Sequence, residues 1–256
     1  MSEDHNPEIS LRRDGHVAVL EIDRPPNNHV NVELMRRLAD VLADIDGDRD
    51  LRVSVLASRG RNFSAGADLA APSGPAGPVD ALYAEAMRLF AAKKPIVAAI
   101  QGAAVGAGLG LTLVADFRVA TPESRFVANF VKLGFHPGFA ITHALPRLIG
   151  PQKAALMCLT GRRIRGAEAH AWGLVDELVP LETLPEAALS LAREIAENAP
   201  LAVQATRATL RAELAATVKE QMDAELGIQT ALRQTADFAE GVRAVAERRP
   251  GHFTGA

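Results

Sequence analysis

The run from Ile96 to Ala115 carries no charge, and six of its residues are alanine and four are glycine. An uncharged stretch of this length can cross a bilayer as one helix. Gly102, Gly106 and Gly110 even supply the small-xxx-small spacing by which membrane helices pack. The stretch can also be two short buried elements in succession, and its composition favours that reading, because alanine and glycine leave it only mildly apolar. It also divides in sequence. Pro95-Ile-Val-Ala-Ala-Ile100 has the continuous apolar character of a buried strand, and the glycine cluster that follows opens a helix.

The flanking segments alternate in the same manner. Residues 9–12 and 16–22 read as strands joined at Asp14-Gly15, a strong hairpin signal. Pro25-Pro26-Asn27-Asn28 is a loop. Asn31 is suited to cap a helix on which Leu34, Leu38, Val41, Leu42 and Ile45 share one face. A short strand over 53–57, a loop over 59–68 and a helix over about 80–92 follow. The breaker-rich stretch 71–78 reads as a surface loop. Residues 117–120 and 125–127 read as strands around a Thr-Pro-Glu-Ser turn. Beyond residue 139 the pattern is helical to the end. Strands alternating with helices, then helices alone, predict an α/β fold with a core over 1–195 and a helical region over 196–256.

The chain has 256 residues and a net charge of −3 from 28 basic and 31 acidic side chains. No basic excess points to nucleic acid or to an anionic membrane. A single cysteine, Cys158, excludes an internal disulfide and agrees with a reducing compartment. The opening MSEDHNPEIS lacks the apolar region of a secretory signal, so a cytoplasmic protein is expected. No spacing of Cys, His, Asp and Glu suggests a metal site.

Two constellations can carry chemistry. The first is Phe63-Ser-Ala-Gly-Ala-Asp-Leu69, directly after a strand and loop. The second is Gly102-Ala-Ala-Val-Gly-Ala-Gly-Leu-Gly110, between a strand and a helix. Small residues let backbone N–H groups approach a ligand closely, and a helix N-terminus adds free donors and a positive dipole end. Together two such turns can form an oxyanion hole for a thioester carbonyl. Tight turns packed inside a core are the plainer reading of the same glycines. Neither stretch has the Gly-Lys-Ser/Thr of a phosphate-binding loop or the dinucleotide-binding spacing.

Taken jointly, a longer set of motifs resembles the enoyl-CoA hydratase/isomerase (crotonase) superfamily. It comprises Phe63–Leu69, Lys94-Pro-Ile-Val-Ala-Ala-Ile-Gln-Gly102 running into Val105–Gly110, and Ala115-Asp116 followed by Phe126. It continues with Leu133-Gly134, Pro137-Gly138, Leu145-Pro-Arg-Leu-Ile-Gly150, Leu159-Thr-Gly161, Ala171-Trp-Gly-Leu-Val175 and a C-terminal Glu240-Gly with Arg248-Arg-Pro. The resemblance spans about residues 9–254. It implies a spiral of ββα turns with C-terminal helices that cover the site, usually in a homotrimer or homohexamer. The implied ligand is an acyl-CoA, with coenzyme A arriving as part of the substrate and no tightly bound cofactor. The oxyanion-hole donors fall at Ala67 and Ala107. The implied CoA- and substrate-binding positions are Asn27, His29, Ala65, Gly66, Asp68, Leu69, Val105, Gly106, Gly110, Phe130, Leu133, Pro137 and Gly138, with the Ala65–Leu69 loop against the adenine end of CoA.

The departures bear on the chemistry. Hydratases of this family carry glutamates where this chain has Gly110 and Phe130, and isomerases rely on an acid at the Phe130 position. Dehalogenases use an aspartate at the position of Gly138. None of the residues found here can transfer a proton, and a missing acid–base group ordinarily forfeits about 10²–10⁴ in rate. His136 is one replacement, since its loop borders the reacting carbons in the family; a loop histidine bonded to backbone is the alternative. Tyr83 lies on the helix that carries a functional histidine in the dehalogenases; a core or interface tyrosine is the alternative. For His29 the alternative to CoA is solvent. Two functions stay open: a lyase or isomerase acting through a thioester enolate, and a protein that binds acyl-CoA without turning it over.

Overall fold

In the computed structural model, residues 8–67 and 79–256 are described, so Asp68, Leu69 and the 71–78 stretch lie outside them. The chain starts with a hairpin of β1 (Ile9–Asp14) and β2 (Val17–Ile22). Helix α1 (Val32–Gly47) follows, and Asn31 caps it by accepting the Leu34 N–H at 2.8 Å. Such a cap stabilises a helix by about 1 kcal/mol. Then come β3 (Val53–Ser58), α2 (Val79–Phe90), β4 (Ile96–Ile100), β5 (Ala103–Val105), α3 (Ala107–Val114), β6 (Phe117–Ala120) and β7 (Arg125–Val127). The remainder holds α4 (Ile141–Ile149), α5 (Pro151–Thr160), β8 (Arg163–Arg165), α6 (Gly166–Trp172), β9 (Glu177–Leu178), α7 (Leu184–Ala196), α8 (Pro200–Leu210), α9 (Ala212–Leu232) and α10 (Ala236–Ala246).

Six strands form one sheet in the order β1-β2-β3-β4-β6-β9, antiparallel at the first pair and parallel at the rest. Its central strands are apolar on both faces because both faces are covered. Val17, Val19, Val53, Val55, Val97, Ala99 and Val119 pack against α7 through Leu184, Ala188, Leu189 and Ala192. The alternate residues Ala18, Leu20, Ile22, Leu56, Ala98 and Ile100 join the larger core with α1. Leu214, Val218 and Met222 of α9 are buried in that same core. Each fully buried aliphatic side chain of this kind contributes about 1.5–3 kcal/mol.

The uncharged run is therefore β4, β5 and α3 rather than one membrane helix. No helix among the described residues is long and apolar enough to cross a membrane. Strand β5 departs from the sequence expectation of strand, glycine cluster and helix. Gly102, at φ +60°, turns the chain out of the first sheet, and β5 pairs with β7 in a second sheet β5-β7-β8. The expectation of helix alone beyond residue 139 is likewise corrected by β8 and β9. Both are three residues or fewer, too short to show alternation, and exist because they extend edges already present.

Candidate functional site

Two turns converge above the ends of β3 and β4. The loop after β3 runs alongside β5: Phe63 N–H donates to Gln101 O at 2.8 Å, Ser64 N–H to Ala103 O at 2.9 Å and Val105 N–H to Ser64 O at 3.0 Å. Gly66 sits at φ +85°, and a Cβ there would lie 2.5 Å from the Val105 oxygen and 3.7 Å from the Ala107 nitrogen. Gly106 sits at φ 54° and ψ −117°, a conformation essentially confined to glycine. These two glycines bring Ala67 and Ala107 to adjacent edges of one opening. Neither alanine N–H donates to an acceptor among the described residues. Ala107 is also the first residue of α3, whose positive dipole end faces the opening. The far end of α3 is held by the buried Arg118 guanidinium, which donates to Ala115 O at 3.0 Å and Asp116 O at 3.1 Å.

Behind the turns lies a cavity of about 580 Å³, counting its mouth. Ala65, Gly66, Ala67, Val105, Gly106 and Ala107 form one wall. Val79, Leu82 and Tyr83 of α2 form a second, and Phe130, Leu133, Phe135, Gly138 and Phe139 a third. Asn129, Gln229 and Arg233 supply the remaining polar side chains. No aspartate or glutamate is in the wall among the described residues, and no cluster there could hold a metal ion.

Two of the positions that depart from the family's enzymes, Gly110 of the hydratases and Gly138 of the dehalogenases, are explained by packing. A Cβ on Gly110 would lie 2.5–2.6 Å from the Phe139 side chain, so that ring fills the space an acid would need. Phe139 and Ala140 reach this place through positive φ angles of 63° and 55°. A Cβ on Gly138 would lie 2.0 Å from the Tyr83 hydroxyl and 2.6 Å from Gln229 Nε2. Tyr83 thus occupies the position beside Gly138. Its hydroxyl is buried with no well-aligned hydrogen-bond partner, the Phe139 backbone N–H being a close main-chain neighbour, and burial pushes its pKa far above the usual phenol value despite that contact.

Not every expected residue is in this cavity. His136 lines a separate surface depression with Phe135, Pro137, Thr142, Cys158 and Leu159, and its Nδ1 is 2.6 Å from Pro137 O. The expectation that the ring borders the reacting carbons is corrected: His136 is absent from the cavity wall, and its contact with the cavity residue Gln229 is made by its backbone carbonyl, which accepts from Gln229 Nε2 at 2.7 Å. Pro137 lines the same outer depression. Gly110 is buried behind the Phe139 ring and is not part of the cavity wall. Asn27 and His29 brace the first turn from outside. Asn27 O accepts the Ala65 N–H at 3.0 Å, and His29 Nδ1 is 3.1 Å from Gly66 O.

Glu225, Gln229 and Arg233 were missed by sequence reasoning. They follow one another at four-residue spacing, which is one face of α9 and its C-cap. Glu225 is fully buried and accepts the Ala140 N–H at 2.8 Å and the Thr142 N–H at 3.1 Å, together with the Thr142 hydroxyl. It caps α4 from another helix and fixes the turn that carries Gly138 and Phe139. Burial pushes its pKa up to about 7 despite those three donors.

The enoyl-CoA hydratase/isomerase family model matches residues 12–256. A 1,2-epoxyphenylacetyl-CoA isomerase of Escherichia coli is 33% identical over 249 residues, covering 93% of this chain and 95% of the relative. An (E)-benzylidenesuccinyl-CoA hydratase of Thauera aromatica is 36% identical, covering 97% and 99%. A crystal structure of an enoyl-CoA hydratase/isomerase from Pseudoalteromonas atlantica superposes with a TM-score of 0.88 at 31% identity, covering 96% of this chain and all of that one. With an α/β architecture that superposes on a solved member and a match along nearly its whole length, this chain belongs to the enoyl-CoA hydratase/isomerase family.

Proposed function

We propose that the cavity takes an acyl- or enoyl-CoA thioester and holds its carbonyl oxygen between the Ala67 and Ala107 N–H groups. The observation that carries this reading is the pair of acceptor-free donors, set by Gly66 and Gly106 at one edge of a largely apolar cavity. Charge that develops on the oxygen as an enolate forms meets two fixed donors and the N-terminus of α3, with no reorganisation required. The family relatives, by their names, act on CoA thioesters. The function is that of a lyase or isomerase with non-standard acid–base groups. Coenzyme A enters with the substrate and leaves with the product.

Tyr83 is the hydrogen-bond donor to the bound thioester in this proposal. Burial raises its pKa, so the phenol stays protonated at neutral pH and is neither a resting base nor a strong acid. His136 drops out of the mechanism, since its ring is outside the cavity. A second reading, acyl-CoA binding without turnover, is favoured by one observation: the cavity wall holds no carboxylate among the described residues. Tyr83 weighs against it, because its hydroxyl lies in the cavity wall without a well-aligned partner in the fold. The homotrimer or homohexamer implied by the family belongs to the same proposal. It agrees with α8, which buries none of its residues and exposes Leu201 and Leu210.

The test is incubation of the protein with a panel of acyl- and enoyl-CoAs, read by mass spectrometry, alongside thermal shifts. A ligand that binds only the folded state at 100 times its Kd adds about 2.7 kcal/mol. Conversion of at least one thioester is expected. Thermal shifts without conversion would select the binding-only reading, and no shift with any thioester would overturn both.

A further inference from the structure

Arg233 is a cation in a wall that is otherwise mostly hydrocarbon. Its guanidinium carbon stands 5.1 Å from the Phe135 ring centre and 5.2 Å from that of Phe238. Those rings pack edge to face at 5.3 Å, and Phe130 packs on Phe135 at 5.4 Å. Contact with two ring faces holds the group in position but leaves its N–H donors unused. The Arg233 Nε is buried with no partner, and no carboxylate among the described residues pairs with the guanidinium. Its electrostatic neighbour is Tyr83, whose hydroxyl also lacks a well-aligned partner. A half-buried cation whose Nε is fully enclosed without a counter-ion is costly, and desolvation pushes its pKa down accordingly. The aromatic cradle serves no evident purpose in a cavity meant for a plain hydrocarbon chain.

We infer that the acyl group carried into this cavity ends in a carboxylate, remote from the thioester, and that Arg233 binds that carboxylate. The inference rests on the acyl-CoA reading of the same cavity and names its substrate class. Arginine offers a planar fork of donors that matches a carboxylate in two parallel hydrogen bonds. The thioester carbonyl sits at the Ala67 and Ala107 wall, and Arg233 stands among the Phe135 and Gln229 side chains of the other walls. A linear acyl group anchored at its carbonyl and at a terminal anion is thereby fixed at both ends, which orients the carbons between them toward Tyr83.

The experiment measures dissociation constants of succinyl-, glutaryl- and adipyl-CoA against the uncharged butyryl-, valeryl- and hexanoyl-CoA, with free CoA as reference. One dicarboxylic thioester is expected to bind at least about tenfold more tightly than its uncharged counterpart, as for a charge-assisted hydrogen bond. In Arg233→Met, which keeps contact with the rings, that ratio should fall to about one; in Arg233→Lys it should be intermediate. Absence of any preference in the unaltered protein overturns the inference without need of a variant. An equal loss for free CoA in Arg233→Met also overturns it, because the arginine would then hold a CoA phosphate. If uncharged thioesters bind and dicarboxylic ones do not, only this inference fails. If no thioester binds, the acyl-CoA reading fails with it.

Discussion

The two halves of the cavity are built on different physics. Around Ala67 and Ala107 the working groups are backbone N–H donors, aimed by the positive φ of Gly66 and Gly106 and buttressed by hydrogen bonds from the loop to β5. Opposite them the lining groups are side chains: Tyr83 from α2, Phe139 from the turn before α4, Gln229 from α9 and Arg233 from its C-cap. The first half cannot be altered without altering the chain's path. The second can change residue by residue while the fold stays the same. In the proposed function, thioester holding therefore belongs to the first half, and reaction type and acyl preference belong to the second.

The largest expected effect tests that division. Hydration of crotonyl-CoA needs a base to activate water and an acid to protonate the α carbon. Gly110 and Phe130 supply neither, and Phe139 closes the space beside Gly110. Turnover should lie roughly 10⁴-fold or more below that of a family hydratase that has both glutamates, while crotonyl-CoA still raises thermal stability. Turnover within tenfold of such an enzyme would show that the side-chain half matters little, and the contrast between the halves would collapse.

The support of the side-chain half gives the next effect. Glu225 has its pKa raised from 4.5 to about 7, with burial outweighing its three donors. Between those values the folded chain holds a proton that the unfolded chain has lost. Stability from this group is therefore present below about pH 4.5 and declines as pH rises through about 7. A shift of this size corresponds to roughly 3 kcal/mol. Denaturation of the unaltered protein and of Glu225→Gln should be compared from pH 4.5 to 8, and the difference between the two should fall as pH rises. A difference that grows would mean that the Ala140 and Thr142 donors win over burial and that the carboxylate is charged in the fold.

A smaller effect concerns the exchange of an acid for a ring. Gly110→Glu alone overpacks the Phe139 side chain and should cost about 1–3 kcal/mol. Phe139→Ala alone leaves a cavity. Together the two should be less harmful than their sum by at least about 1 kcal/mol, a coupling expected of residues in direct contact. Strict additivity in a denaturation cycle would mean that Phe139 does not occupy the place of the missing glutamate.

What was legible in the sequence follows the same division. Each piece of the backbone half is local: the glycine turn after β3 is one short stretch, the buried strand, spaced glycines and helix start around Gly106 are another, and Asn31 and the hairpin at Asp14-Gly15 read equally well. Strand β5 escaped because three residues are too few for a period to emerge. The side-chain half is assembled from residues 83, 139, 229 and 233, and no local pattern announces that they meet. His136 drew attention for its chemistry, yet the direction of a loop side chain is set by tertiary contacts such as that of Gln229 with the His136 carbonyl. One signal was available. The buried stripe of α9 runs Leu214, Val218, Met222 and then continues through Glu225 and Gln229, with the half-buried Arg233 at the C-cap on the same line. An apolar helical stripe that turns polar without leaving its face marks a side buried against something other than core.

Tyr83 gives the smallest change in stability and the most direct test of which half does chemistry. A buried hydroxyl without a well-aligned partner costs the fold its desolvation, about 1–3 kcal/mol, with no full hydrogen bond in return. Removing it in Tyr83→Phe leaves the ring packed in the core with Leu82 and Phe139 neighbours, and the melting temperature should rise or hold, by up to about 1 kcal/mol in stability. A residue kept for packing alone would improve in this variant in every respect. If Tyr83 instead delivers a hydrogen bond to the bound thioester, the same variant should lose at least about tenfold in kcat on whichever thioester the panel identifies, with binding little changed. Stability gained while turnover is lost is the signature of a group held unsatisfied for its substrate. A drop in stability would mean that the hydroxyl has a partner in the fold, and unchanged kcat would remove Tyr83 from the reaction and leave the cavity with Gln229 and Arg233 as its polar groups.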